Sequence, residues 1–448
     1  MKRFYQGMAI VFGLVMLLFV VARSERAIGA QFTRPPEHAV DPNAKPATPG
    51  VFTDFKGEAP GNIHHITAAD LPGPYATKSA AIFSRPVPKP ADAWPQAPAG
   101  FKVTLYAENL ADPPRTIITA PNGDFFVAST NKGKILVFHG MTADGKPEKT
   151  EEFASGLKLP FGIAFYPPGK NPKYVYIGDT DAVLRYPYEN GDMKARGPQE
   201  VVVPNLPAGP NHFARGVAFS LDGKHMFISV GSHTNVTDID TDKSEFHRAD
   251  ILEANPDGSD LRVYASGIRN GSGIAVDPHT GELWTSVNER DEIGDNLPPD
   301  YITHVQEGDF YGWPWYYTGG NPDPRFPGKH PELKDKAIVP DVLLEPHNAS
   351  LNITFYEAKQ FPKEYQGQLF GAEHGSWNRS VRTGYEVVFV PMKNGKATGS
   401  YMDFLTGFLT PSGDCWGRPV GVAVAPDGSL MVTDDGSNSI WRVTYEKK

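Results

Sequence analysis

Residues 422–436 read VAVAPDGSLMVTDDG: an apolar run, the pair Asp427-Gly428, a second apolar run, and then a polar end. Aspartate and glycine accept the positive φ angles of a tight hairpin, so the stretch is read as two antiparallel strands joined by a short turn. The same plan occurs upstream in IITAPNGDFFVAST (117–130), IAFYPPGKNPKYVYIGDT (163–180), VAFSLDGKHMFISVGS (217–232), IAVDPHTGELWTSVNE (274–289) and ITFYEAKQFPKEYQGQLFGAEHG (353–375). Asn122-Gly123, Asp222-Gly223 and Thr280-Gly281 hold the turn in three of these copies. Six copies at a spacing mostly of about forty-five to sixty residues, with a longer gap before the fifth, predict an all-β chain folded as a six-bladed β-propeller, because one such unit cannot bury its own faces and a closed ring can. The strand FKVTLYAE (101–108) is expected to complete the last blade, which ends IWRVTY (440–445). A β-sandwich or a parallel β-helix is the alternative.

The chain outside these repeats is of another kind. Lys2 and Arg3 precede the apolar run MAIVFGLVMLLFVV (8–21), and the small residues Ala27, Gly29 and Ala30 follow, the order of a secretory signal peptide over residues 1–30. An uncleaved anchor, which would tie the chain to a membrane, is the alternative, although the run falls short of the ~20 residues that comfortably span a bilayer. Either way the folded part is expected outside the cytoplasm, periplasmic or secreted. Residues 31–98 include PPEHAVDPNAKPATPG and RPVPKPADAWPQAPAG, where proline interrupts regular structure, and are read as an extended leader laid on the main, β-propeller domain of residues 99–448.

Composition narrows the classes further. With 448 residues, 40% hydrophobic and 21% charged, the chain suits one large all-β domain or two smaller ones. Its formal charge is −9, and loss of residues 1–30 removes Lys2, Arg3, Arg23, Arg26 and Glu25, a net +3, which leaves −12. Such acidity argues against nucleic acid or an anionic membrane as partner. The single cysteine, Cys415, excludes an internal disulfide framework and a multi-cysteine metal site, and no C-x-x-C-H is present to attach a haem.

In a propeller the loops at one end of the channel converge, so polar residues before the first strand and after the second strand of different copies form one candidate pocket. These include Arg115, His212, GSHTN (231–235), GIRNGSG (267–273), NERDEIGD (288–295), PHNAS (346–350), EHGSWNR (373–379) and GRPVG (417–421). The run 286–301 carries five acids, Glu289, Asp291, Glu292, Asp295 and Asp300, directly after a buried-looking strand. It is either a solvated loop or a site for a hard cation, which takes carboxylate and main-chain oxygens; EF-hand spacing is absent.

Residues 264–317, with the elements G-x-R-N, N-E-R-D, G-D-x-Y-G-W-P and G-S-W-N-R further on, resemble the soluble sugar dehydrogenases that depend on pyrroloquinoline quinone (PQQ), both the quinoprotein glucose dehydrogenases and, more closely, the L-sorbosone dehydrogenase-like branch. The similarity runs from about residue 98 to the C-terminus and leaves out the proline-rich leader. It implies oxidation of an aldose or related sugar aldehyde by hydride transfer to PQQ, with Ca²⁺ as second cofactor and an external electron acceptor. PQQ carries three carboxylates, and guanidinium forks bind carboxylates at two points. By the resemblance Arg115, Arg269, Arg379 and Arg418 face the cofactor, Asn270 hydrogen-bonds its quinone side, and Arg269 also stabilises charge on the quinone oxygen.

The resemblance further implies that the main-chain carbonyls of Glu289 and Arg290 hold the calcium, although a Gly-Pro pair of the glucose dehydrogenases is replaced here by Glu-Arg. His212 matches the general base, a task that suits a side chain titrating near neutral pH. Where the family places an aspartate to orient that base, this chain has Ser232. His233 and His347 are further candidates for the pocket, and Tyr311, Trp313 and Trp315 for core packing or a wall against the sugar. A calcium-dependent lactonase propeller, or a non-catalytic propeller binding a partner on its face, are the rival functions.

Overall fold

Glycine φ angles at the hairpin turns are positive throughout, +96° at Gly123, +69° at Gly223, +77° at Gly281 and +87° at Gly428, the conformation those turn residues were expected to supply. The computed structural model describes residues 38–209 and 211–446; the segment read as a signal peptide lies outside the described residues. Six antiparallel sheets each start on an inner strand: Ile117–Thr119, Gly162–Tyr166, Val217–Phe219, Gly271–Val276, Ser350–Tyr356 and Pro419–Val424. Each inner strand touches the next, and the sixth returns to the first, so the ring closes as a six-bladed β-propeller. Phe101–Ala107 pairs with Ser439–Tyr445 and closes the sixth blade from the N-terminal side.

Apolar clusters lie between successive blades. Ile135, Ile163 and Ile177 join the first two; Tyr106, Phe125, Val127 and Met431 join the last to the first. Adjacent sheets thus bury each other's faces, and burial of apolar surface at roughly 25 cal/mol per Å² favours closure over an open array. At the hairpin end, the inner strands of all six blades line a cavity of about 590 Å³.

Two features depart from a plain ring. Within the leader, Ile63–His64 pairs with Tyr401–Leu405 and makes the fifth blade five-stranded. The longer gap before the fifth copy holds an insertion inside blade four, between Pro299–Val305 and Val342–Pro346, with a short hairpin (Tyr316–Tyr317, Asn321–Pro322) and a 3₁₀ turn at Pro331–Lys336.

Candidate functional site

At the end opposite the hairpin turns, blade three places His212 in a left-handed conformation, φ 47°, which costs energy for a side chain with a Cβ and must be imposed by its surroundings. Arg215 imposes it. This fully buried guanidinium donates to the carbonyls of His212 (2.7 Å), Ala214 (2.7 Å) and Pro207 (2.5 Å). Arg248 completes the clamp with bonds to the carbonyls of Gly231 (3.0 Å), Ser232 (3.2 Å) and Pro207 (2.8 Å).

The ring of His212 is oriented by a main-chain group. Nδ1 lies 2.7 Å from the Ser232 carbonyl, which can only accept, so Nδ1 carries the proton and Nε2 the lone pair. Ser232 Oγ, 3.0 Å from Nδ1, turns its own proton to the Thr234 carbonyl at 2.6 Å. The aspartate missing from the sequence at this place is therefore replaced by a carbonyl. Burial, reinforced by the charge of Arg269, pushes the His212 imidazole down to about 3, well below the neutral range expected from its type. Gly231 lets Asn270 approach it: a Cβ there would lie 2.3 Å from Asn270 Oδ1 and 2.7 Å from His212 Cβ.

Arg269 is buried and heavily engaged. It donates to Glu289 O (2.7 Å), Asn235 O (3.1 Å) and Asn235 Oδ1 (3.0 Å), and pairs with Asp291 at 3.0 Å. Asp291 also faces His347 Nδ1 at 3.4 Å. Burial would raise the Asp291 carboxyl, but the Arg269 charge holds it below the usual range. Asn270 donates to Asn288 Oδ1 at 3.2 Å, while its Oδ1 is buried without a partner among the described residues.

The acidic run is not a solvated loop. Glu289, Asp291 and Asp300 are buried; Asp300 accepts the Glu289 amide (2.8 Å) and the Ala349 amide (2.7 Å), and burial pushes Glu289 up to about 8. The Arg290 side chain turns away to Asp323 at 2.7 Å, and its carbonyl accepts no hydrogen bond among the described residues. No group of three or more His, Cys, Asp or Glu side chains is arranged to hold a metal ion among the described residues. A cation placed here would therefore rely on main-chain oxygen.

A second polar group joins blades one, five and six. Arg115 donates to Asp435 at 2.5 Å, His374 Nε2 lies 2.8 Å from the same carboxylate, and Arg418 Nε donates to the His374 carbonyl at 3.1 Å. Burial opposes ionisation of Asp435, yet His374, Arg115 and Arg418 hold it well below the carboxylate range; burial and Arg418 push His374 down to about 4. Arg418 keeps both Nη atoms free of hydrogen bonds among the described residues, and Arg115 Nε is buried without a partner. Arg115 also stands 5.8 Å from the Phe161 ring and 5.9 Å from that of Phe213, the neighbour of His212, which links the two groups.

Arg379 is not brought among them. Its Nη1 pairs with Glu345 at 2.7 Å, and its Nη2 donates to Thr53 O in the leader (2.8 Å) and Asn296 Oδ1 (2.9 Å). His233 takes a place beside Glu245, whose carboxylate accepts its amide at 2.7 Å. Tyr311, Trp313 and Trp315 are buried, with Tyr311 stacked on Tyr301 at 5.9 Å. Sequence reasoning gave no role to Asp435 or to His374, although both directly follow second strands of the quoted repeats and His374 stands in the candidate loop EHGSWNR.

The family described as TrAA12-like matches residues 95–307 and 331–446. An uncharacterized protein of Borreliella burgdorferi is 32% identical over 79% of this chain and 91% of its own. A pyrroloquinoline quinone-dependent pyranose dehydrogenase of Coprinopsis cinerea is 25% identical over 76% of this chain, which spans about half (53%) of that enzyme's length. The solved PQQ domain of pyranose dehydrogenase from the same fungus, in its holo form, superposes with a TM-score of 0.66, covering 81% of this chain and 100% of that one at 22% identity.

Proposed function

This chain belongs to the TrAA12-like family, and from that premise we propose that it is an extracytoplasmic enzyme that oxidises an aldose or a sorbosone-like sugar aldehyde, with PQQ as hydride acceptor, Ca²⁺ beside it and an external acceptor for the electrons. The observation that carries the reading is His212: its left-handed backbone is clamped by Arg215, its Nδ1 proton is spent on Ser232, and its Nε2 lone pair is left for a substrate proton.

The donor set fits the cofactor. Free Nη atoms on Arg418, the unmatched Nε of Arg115 and the unmatched Oδ1 of Asn270 are polar groups that call for partners. Arg115 and Arg418 would hold its carboxylates, Arg269, whose donors are spent on protein oxygens, would set positive charge beside its reacting oxygen, and Asn270 would bond its quinone side. Arg290 O, free of hydrogen bonds among the described residues, and Glu289 O, which keeps one lone pair beyond its bond from Arg269, would hold calcium. When bound, the ortho-quinone accepts a hydride from carbon and the calcium acts on it as Lewis acid.

The remaining work falls to the chain. As the substrate C–H bond yields its hydride, His212 Nε2 takes the hydroxyl proton and the carbon–oxygen bond becomes a carbonyl. The Ser232 carbonyl, fixed by Arg248, holds the imidazole in place and stabilises its charged form. Arg269, immobilised by Asp291 and Asn235, presents fixed positive charge where negative charge grows.

Purified protein loaded with PQQ and Ca²⁺ should oxidise aldoses with an artificial acceptor, lose activity on chelation, and regain it with Ca²⁺. Full activity after exhaustive chelation, with elemental analysis showing the metal gone, would remove calcium from the account.

A further inference from the structure

Leader residues 75–83 bond to two of the loops that carry site residues, 288–295 of blade four and 373–379 of blade five. Tyr75 N donates to Ile293 O at 2.7 Å, Ser79 Oγ accepts the Gly294 amide at 3.0 Å, and Thr77 Oγ1 accepts the Asp295 amide at 2.8 Å. Further along, Ile82 N donates to Trp377 O at 2.7 Å, and the Phe83 ring stacks on that of Trp377 at 5.1 Å. Asn378, fully buried, joins all three segments: its Oδ1 accepts the Glu292 amide at 2.8 Å while its Nδ2 donates to Ala80 O. The family match begins at residue 95, so the leader's part in these bonds lies outside it.

The turn these bonds hold is strained. Glu292 has φ +78°, a left-handed conformation that costs energy for a residue with a Cβ and has to be imposed. Residues 292–295 belong to no strand or helix, so no ladder imposes it. The Glu292 carboxylate pairs with Arg325 at 3.3 Å, but both groups are partly open to water, where such a pair contributes little. Asn378 and the leader between them meet the amides of 292, 294 and 295 and the carbonyl of 293. The residue before Glu292 is Asp291, whose carboxylate pairs with Arg269 at 3.0 Å. Ile293 is anchored in the core, so relaxation of Glu292 to an ordinary negative φ would carry Asp291 off Arg269.

We propose that Thr77, Ser79 and Asn378 are positioning residues: they lock Glu292 in its left-handed turn and thereby keep Asp291 on Arg269, the group that presents positive charge to the reaction. The consequence for turnover rests on the dehydrogenase reading; the brace itself does not.

The test is residue-resolved hydrogen exchange on the full, unloaded protein, read at the amides of Glu289, Asp291 and Glu292. Their acceptors, Asp300, Asn235 and Asn378, are untouched by substitution in the leader. In Thr77→Val/Ser79→Ala, two hydrogen bonds of the same order as the strain they oppose are lost, so these amides should exchange roughly tenfold faster or more, with blades one to three as in the parent. Thr77→Ser, which keeps the hydroxyl, should exchange like the parent. Glu292→Asn, a residue that enters the left-handed region readily, should restore much of the protection when added to the double variant. With PQQ and Ca²⁺ bound, the double variant should lose about threefold or more in kcat with KM for the sugar little changed, the pattern of an interaction realised in the transition state. Parent-like exchange at the three amides, loosening that Glu292→Asn does not mend, or a loosened loop with the parent's kcat would each overturn the proposal. A parent that binds no PQQ would count against the dehydrogenase reading, and the exchange rates would still decide the brace.

Discussion

His212→Gln removes the lone pair at Nε2 and keeps a side chain able to hydrogen-bond, so PQQ and Ca²⁺ should bind nearly as in the parent while turnover falls roughly 10²- to 10⁴-fold, the range for loss of a general base. Its pH dependence follows from the direction of the shift. A histidine lowered to about 3 is the free base throughout the neutral range; its contribution is present above that value and is lost as pH falls through it. The kcat profile should therefore lack an inflection near 6.5 from this group, and such an inflection, absent in His212→Gln, would show that the loaded site lifts the base back toward its ordinary value. Gly231→Ala tests the approach of Asn270 to His212: a methyl 2.3 Å from Asn270 Oδ1 must displace it, and a displacement of that kind costs up to about a hundredfold in turnover. Parent-like kinetics in Gly231→Ala would mean that Asn270 has no part in the reaction.

Arginines that look alike in the sequence separate once the elements are in place. Arg418→Leu should weaken PQQ binding by roughly a hundredfold, since removing one partner of a desolvated ion pair costs ~2 to 5 kcal/mol, and Lys should restore only part of it. Arg379→Leu should behave differently: it strands Glu345 and lets go of Thr53, so denaturant unfolding should show a loss of ~3 to 5 kcal/mol, with PQQ titration much less affected. The hairpins and their ring were legible because glycine turns and apolar runs are local. Which partner a group meets tens or hundreds of residues away is not local, and this is why the Arg379–Thr53 contact, the pairing of Ile63–His64 with Tyr401–Leu405 and the turn of Arg290 toward Asp323 could not be read. The anchor of His212 was hidden for another reason: it is a carbonyl, which no residue type advertises.

Where the described part of the leader meets the ring, the seam is lined by ionisable groups. Glu58 of the leader accepts the Gly384 amide at 2.8 Å and is raised well above its ordinary 4.5 by burial and by Asp403; Glu386 is raised by the same causes. Burial opposes the charged form of His64, but its bond to Asp403 at 2.6 Å raises it above 6.5. All three hold protons more tightly in the folded state, so what they contribute is complete below their unfolded values and is lost as pH rises, from 4.5 upward for the two glutamates and from 6.5 upward for His64. Hydrogen exchange at residues 58–66, corrected for the intrinsic rate, should show the strap opening more readily as pH rises over that window. Protection independent of pH would mean that the seam is held by its backbone pairing alone.

The central claim is that this propeller oxidises a sugar through PQQ with His212 as base. It is tested most directly by an anaerobic single turnover: protein loaded with PQQ and Ca²⁺ is mixed with an aldose, and the visible spectrum of the bound cofactor is followed in time, for the parent and for His212→Gln. The account predicts stoichiometric PQQ binding by both, rapid reduction in the parent, and reduction slowed by roughly 10²-fold or more in the variant. Failure of the parent to bind PQQ, no spectral change with any aldose, or equal rates in the two proteins would contradict it.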